Sequence, residues 1–451
     1  MDFKPLSDFQ NKNTTYEEAF AAWKPYASPM QLNSTTLKTA IIKQGVTTLG
    51  ASAFANCSKL QDIEFVNTIN TLGEKCFLSC TNLTSVNISK NVTIIPKDCF
   101  NTCLKLTDIT MSETVTKIDD SAFHSCRSLT EFHFPTKLKE IGNSSFFDTD
   151  IVTLKFPNGL LSIGRSAFMN NTELTTANIP ASTTSIGEGV FRRTQSLKTI
   201  TVDSDNPSYT VVDGVLYNKD KTLLLAYPAT KTNTTYTLLP TTTRIGEGAF
   251  SIAHLDTTYL NNNLKEIGAG AYEFATIKTI NFTPNVNKLE QSVFYRTHLL
   301  STITVDSNNT HFKTINNALY SYDGKTFYCY PASDPRTAFI MESSVETIMD
   351  SAITSTLYLN EITISPNVTK LPIYCFAGSC ISTINLPSNL TNIGYWTFSD
   401  MSNLTSIVIP NSVTSIDEEA FINSPITTIK GTADSYAETY AKLYGYNFIE
   451  I

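Results

Sequence analysis

Charge is sparse in this chain. Asp, Glu, Lys and Arg make up 16% of its 451 residues, against about 25% in ordinary soluble domains. The net charge is −8, with no basic run or patch, which argues against nucleic acid and anionic membranes as partners. No stretch approaches about 18 consecutive apolar residues, so no membrane-spanning helix and no membrane insertion are expected. Histidine is rare: His124, His133, His254, His298 and His311, none in a zinc-binding spacing. His124 and His133 lie in one repeat and read as a corner and a strand-surface residue. A phosphate-binding loop and a Gly-x-Ser-x-Gly elbow are both missing. The expectation is a non-enzymatic protein with no catalytic residues, no metal and no cofactor.

What the chain has instead is a beat. Phe54, Phe77, Phe100, Phe123, Phe146, Phe168 and Phe191 recur every 22 or 23 residues. The beat resumes at Phe250, Tyr272 and Phe294, and again at Ile353, Phe376, Phe398 and Phe421. Around each ring the frame repeats. An aliphatic stands five residues before it, often followed by Gly, as in Leu72-Gly73 and Ile245-Gly246. A Leu follows six residues after many rings, as at Leu60, Leu83 and Leu106. Alternating apolar residues come next, as in Ile63 and Phe65 or Val86 and Ile88, the period of a strand with one buried face. No unit holds the helical periodicity of a long helix. One unit cannot bury its own apolar face, whereas units stacked at about 4.8 Å can. Sparse charge fits such a stack, since like charges repeated at one position would repel while hydroxyls and amides tolerate stacking.

Segments such as Ile186-Gly-Glu-Gly-Val-Phe191 and Ile245-Gly-Glu-Gly-Ala-Phe250, each followed by a Leu and an Ile-x-Ile strand, resemble the BspA-type leucine-rich repeat. The resemblance runs from about residue 46 to 430 and recurs in 14 registers. It implies a β-rich leucine-rich-repeat solenoid, here about 14 stacked coils of 22–23 residues. It also implies a cell-surface or secreted protein that binds host proteins or other cells, although fold alone does not fix function.

The beat skips from 191 to 250 and from 294 to 353, so two inserts of about 36 residues are expected, near 203–238 and 306–341. They are copies: Ile200-Thr-Val-Asp203 matches Ile303-Thr-Val-Asp306, and Tyr227-Pro-Ala229 matches Tyr330-Pro-Ala332. Each is read as an extra-long coil with one β-hairpin, turning near Asp220-Lys221 or at Asp323-Gly324. Asp203-Ser-Asp205-Asn206 begins like a calcium loop, but its copy Asp306-Ser-Asn308-Asn309 loses a carboxylate, so both read as turns. Asp213-Gly214 and Asn316-Asn317 read as turns too. Residues 1–36 are read as an N-terminal cap, with a capping box at Thr15-Tyr-Glu-Glu18 and a helix through Trp23. Residues 37–430 form the solenoid. Residues 431–451 are read as a C-terminal cap: a helix over Ala433–Tyr444, Gly445 as its C-cap and a last strand. The charged, Tyr-rich helix leaves docking as an alternative role.

Of the nine cysteines, seven sit in two registers of the repeat. Cys57, Cys80, Cys103 and Cys126 lie three residues after the ring; Cys76, Cys99 and Cys375 lie one before it. They are read as small buried packing residues, with a disulfide or metal ladder as the alternative.

The remaining functional surface is the outward residue between the two buried strand positions. Down the stack it reads Glu64, Asn87, Thr110, His133, Lys155, Asn178, Thr201, Tyr259, Asn281, Thr304, Thr363, Asn385, Val408 and Lys430. This column varies in size and polarity, as a face that reads a protein or a cell-surface glycoprotein would. Tyr259, Lys155 and His133 are its expected hot spots. Met1-Asp-Phe-Lys-Pro5 carries no leader pattern. An intracellular scaffold, cytoplasmic or cytoskeleton-associated, is therefore the alternative to a surface protein.

Overall fold

The structure is a computed structural model and describes residues 36–42 and 44–451. The helix expected over Thr15–Trp23 lies outside the described residues. Among the described residues the chain is a β-solenoid of about 18 turns with one helix, near the C-terminus. The count exceeds the 14 read from the aromatic corners because four coils carry the strand without a regular Phe corner. Their strands are Thr39–Ile41, Thr235–Thr237, Ala338–Ile340 and Asn447–Glu450.

Each coil contributes two short strands and a corner. In the strand Asp62–Glu64 only the central Ile63 is buried; in the two-residue strand Thr71–Leu72, Leu72 is buried. Successive coils pair in parallel at the repeat offset, for instance Ala40 with Ile63 and Val86 with Ile109. Because that offset keeps every buried position above its equivalent, one register serves the whole ladder.

The corner follows from two left-handed residues, two before and two after the ring, such as Ser52 (φ 57) and Asn56 (φ 63). They turn the chain so that corner N–H groups donate to the next coil. Ser52 N reaches Glu74 O at 2.8 Å, Phe54 N reaches Cys76 O at 2.8 Å and Asn56 N reaches Leu78 O at 2.7 Å. The tight bend therefore leaves these donors satisfied.

The described residues divide into two compact units. One runs to Asn171 and includes Ser185–Gly187; the other comprises Thr172–Thr184 and Glu188–Ile451. In the first, Phe54, Phe77, Phe100, Phe123, Phe146 and Phe168 form a stacked ladder with centroid spacings of 5.2–5.4 Å. In the second, Phe250 stacks on Tyr272 at 5.1 Å, and Phe398 on Phe376 and Phe421 at 5.5 and 5.0 Å.

The inserts depart from the single-hairpin expectation. Each is a three-stranded meander with two hairpins: Tyr209–Val212, Val215–Asn218 and Leu223–Ala226 in one, Phe312–Ile315, Ala318–Ser321 and Thr326–Cys329 in the other. The extra hairpins turn at Asp213-Gly214 and Asn316-Asn317, where both residues of each pair have positive φ, as a two-residue hairpin with native twist requires. The third strand then joins the parallel ladder, pairing Leu224 with Ile245 and Phe327 with Ile348. Tyr227 and Tyr330 occupy the ring position, donating their N–H to Ala249 O and Ala352 O at 2.8 Å, as Phe54, Phe77 and Phe100 do to the coils after them.

Each insert is pinned by one buried asparagine. Asn206 Nδ2 donates to Pro180 O and Thr183 O, and its Oδ1 accepts from Ser208 N and Tyr209 N. Asn309 repeats the four contacts with Thr283 O, Val286 O, His311 N and Phe312 N. These residues are turn anchors, and no group of three or more metal-ligating side chains occurs among the described residues.

At the C-terminus, helix α1 (Tyr436–Tyr444) starts at Ser435, whose side chain accepts from Glu438 N, and stops at Gly445 (φ 78). It buries Ala437, Tyr440 and Ala441. The last strand, Asn447–Glu450, pairs with Thr428–Gly431.

Candidate functional site

The strand ladder places the outward column in solvent. Glu64, Asn87, Thr110, His133, Lys155, Asn178, Thr201, Tyr259, Asn281, Thr304, Asn385 and Val408 are exposed; Thr363 and Lys430 are half-exposed. The additional coils extend the column with Ile41, Thr237, Ile340 and Ile449. Glu131–His133 alone forms no strand. Phe132 stands there where most coils place an aliphatic, and its ring packs edge-on against Phe123 and Phe146.

Hydrogen bonding sorts the column. Thr201 Oγ1 donates to Asn178 Oδ1 at 3.0 Å, Thr304 Oγ1 to Asn281 Oδ1 at 2.9 Å, and Asn385 Nδ2 to Thr363 Oγ1 at 3.1 Å. These Thr–Asn steps spend much of their polar capacity on each other. His133 Nε2 lies 3.3 Å from Glu113 Oε1. The Glu113 carboxyl is held below its ordinary value, first by the Thr136 N–H. The large apolar members stand out: Tyr259 is 55% exposed, Ile340 73% and Val408 45%. Flat or branched side chains held on rigid strands present contact area at low entropic cost.

The corners of the second unit carry a further feature. Left-handed positions flanking the ring are filled in the first unit by Ser, Asn, Thr, Asp and one Lys. In the second unit some of the same positions hold Arg193, Ile252, Phe274, Arg296, Tyr374 and Trp396, all at positive φ, beside others that keep Ser, Gly, Asp or Asn. Most of these bulky groups touch in series. Arg193 lies over Phe274 at 5.0 Å, Phe274 meets Tyr295 at 5.5 Å, Tyr295 meets Tyr374 at 5.2 Å and Tyr374 meets Trp396 at 5.3 Å. Trp396 stacks on Tyr395 at 5.0 Å and donates Nε1–H to Glu419 Oε2 at 2.6 Å. That indole N–H, with the Tyr395 hydroxyl, holds the Glu419 carboxyl below its ordinary value.

Beneath the strip lies an ion cluster. Glu273 is fully buried and receives both Arg192 and Arg193; Arg192 also reaches Glu247 at 3.0 Å. Burial alone would raise the Glu273 pKa, but the two guanidinium groups keep it below the ordinary value.

A family model described as BspA type Leucine rich repeat region (6 copies) matches residues 31–130, 93–218, 226–324 and 325–444. The chain belongs to the BspA-type leucine-rich-repeat family. No curated protein matches it. Among solved structures it is similar to a leucine-rich repeat protein from Eubacterium ventriosum, at 27% identity and TM-score 0.49, covering 77% of this chain and 84% of that one. It is similar also to a leucine rich cell surface protein from Faecalibacterium prausnitzii, at 23% identity and TM-score 0.52, covering 77% and 87%. A third is the pneumococcal vaccine antigen PcpA, at 18% identity and TM-score 0.41, covering 92% and 89%.

Within this BspA-type frame the corner strip and the ion cluster were not among the residues singled out from sequence. The signal was there: large residues two places either side of the ring, where other repeats carry Ser, Asn or Gly. The cysteines behave as packing groups. Cys80, Cys103 and Cys126 donate their thiols to the carbonyls of Phe54, Phe77 and Phe100 at 3.1–3.3 Å. Burial pushes the Cys80 and Cys126 thiols up to about 12. No disulfide joins cysteines among the described residues. No helix among them is long and apolar enough to cross a membrane.

Proposed function

We propose that this BspA-type chain is a non-enzymatic recognition protein that binds another protein or a cell-surface glycoprotein through the outward strand column. The observation that carries the reading is the contrast between a constant scaffold and a variable exposed column. The inward strand residue is aliphatic or aromatic in every described coil except the one with Thr258. The neighbouring outward residue changes from Glu64 to His133 to Tyr259 to Ile340. Solenoids use such extended faces for binding. Tyr259 and Ile340 are its centres of affinity in the second unit; His133 and Lys155 are those of the first.

Family membership supports a place on the cell surface, with a role in adhesion or host recognition. The test is brief protease treatment of intact cells of the producing organism. The chain should be removed while a cytosolic marker survives; protection of the chain until cells are lysed contradicts the surface placement. A second reading, an intracellular scaffold, is favoured by one observation, the in-register buried thiols with no disulfide among the described residues.

A further inference from the structure

A groove of about 520 Å³ crosses four coils of the second unit along the two-residue strands. It is lined by Ile348, Leu371 and Ile393 and by Asp350, Lys370, Asn392 and Asp417, together with Thr347, Thr369 and Ser415. At one edge the chain runs directly from the groove residues Ile373 and Gly394 into Tyr374, Tyr395 and Trp396. Tyr395 is 38% exposed and Ile373 42%.

Two features distinguish this edge. Tyr374 and Trp396 sit at φ 57 and 52, at the position where other coils use chiefly Ser or Gly, with Lys75 and Asp98 as the other exceptions. A bulky residue there strains the backbone, and such strain persists chiefly at sites of function. The polar tips of Trp396 and Tyr395 are also tied to Glu419, so what the platform offers is flat ring surface.

We propose that this groove, with its Tyr374–Tyr395–Trp396 rim, is a carbohydrate-binding site for a neutral oligosaccharide, distinct from the strand column. Ring faces suit the C–H faces of a pyranose. The lining mixes acceptors (Asp350, Asp417) with donors (Lys370, Asn392), which matches hydroxyls that both donate and accept. A proline-rich segment, poor in N–H donors, leaves the carboxylates unmatched. A basic peptide meets Lys370 in the groove, and the acidic charge is partly spent: Glu346 is paired with Lys325 at 2.8 Å and Asp417 Oδ1 accepts from Glu419 N at 3.0 Å.

The test uses the full chain carrying Trp23→Phe, which leaves Trp396 as the sole tryptophan. Its emission is followed while neutral gluco-, galacto-, manno- and N-acetylglucosamine hexasaccharides are added, with oligolysine as the charged comparison. The expected result is a saturable change with at least one neutral sugar, insensitive to salt between about 0.05 and 0.5 M. Tyr395→Ser and Asn392→Ala then weaken that binding more than about tenfold while the thermal midpoint stays within a few degrees. The proposal is overturned by no saturable change with any sugar, by salt-sensitive binding of oligolysine alone, or by sugar binding unaltered in both variants.

Discussion

Arg192 and Glu273 lie 81 residues apart in sequence yet share two hydrogen bonds of 2.5 Å, Nε to Oε1 and Nη2 to Oε2. This fork joins the corner after Phe191 to the corner after Tyr272, with the ring positions of Tyr227 and Phe250 between them. Arg193 adds a second fork to the same carboxylate at 3.0 and 2.9 Å, and Ser251 Oγ donates to it at 3.1 Å. Removing the buried partner leaves guanidinium charge uncompensated. Glu273→Ala should cost about 3–5 kcal/mol, read as a lower urea midpoint with an unchanged slope. Arg193→Ala should cost less, because Arg193 is the more exposed of the two cations.

The same carboxylate makes stability depend on acid. The Glu273 pKa is depressed in the folded protein, against the effect of its burial, by Arg192 and Arg193. Its contribution is therefore complete above the unfolded value of about 4.3 and is lost as pH falls through the lower folded value. Urea midpoints measured from pH 7 down to pH 3 should fall more gently in Glu273→Gln than in the parent chain over that acid limb. Parallel profiles count against the pairing.

The aromatic ladder is the core, not the site. Phe100 and Phe123 are fully buried, and truncating either to Ala should cost about 3–5 kcal/mol. Thr110→Ala, on the exposed column, should stay within about 0.5 kcal/mol. Equal losses in chemical denaturation would contradict the assignment of faces.

The ladder and the column were legible because their spacing is constant: once Phe54, Phe77 and Phe100 set the frame, Ile63 points in and Glu64 out. The second hairpin of each insert was half legible, since Asp213-Gly214 read as a turn but not as a hairpin. The Arg192–Glu273 fork was not legible. It joins corners across an insert, and no local pattern states which coils become neighbours once the shortened corner at Tyr227 takes the ring position. The strip through Tyr374 and Trp396 was missed for a different reason. The left-handed corner positions look like indifferent Ser and Gly until their φ values are known, and only then do the bulky exceptions carry meaning.

Cysteine reactivity should follow burial. Cys80, Cys99, Cys103 and Cys126 are buried and their pKa values raised, chiefly by desolvation. Cys380 is partly exposed, with its thiol donating to Leu359 O at 3.2 Å. A thiol reagent should label Cys380 first in the native chain, whereas all nine cysteines should react in denaturant. Rapid native labelling of the Cys80–Cys103–Cys126 column would contradict the packing described.

On the reading proposed above, the outward strand column recognises a partner on a cell or host surface. Its most direct test is saturation binding of the fluorescently labelled full chain to intact cultured epithelial cells. The parent is compared with a Tyr259→Ser, Ile340→Ser, Val408→Ser triple variant whose circular dichroism and thermal midpoint match it. The account predicts saturable binding by the parent and a loss of more than about tenfold in affinity in the variant. Equal binding by the two proteins, or no saturable binding by the parent, would contradict it.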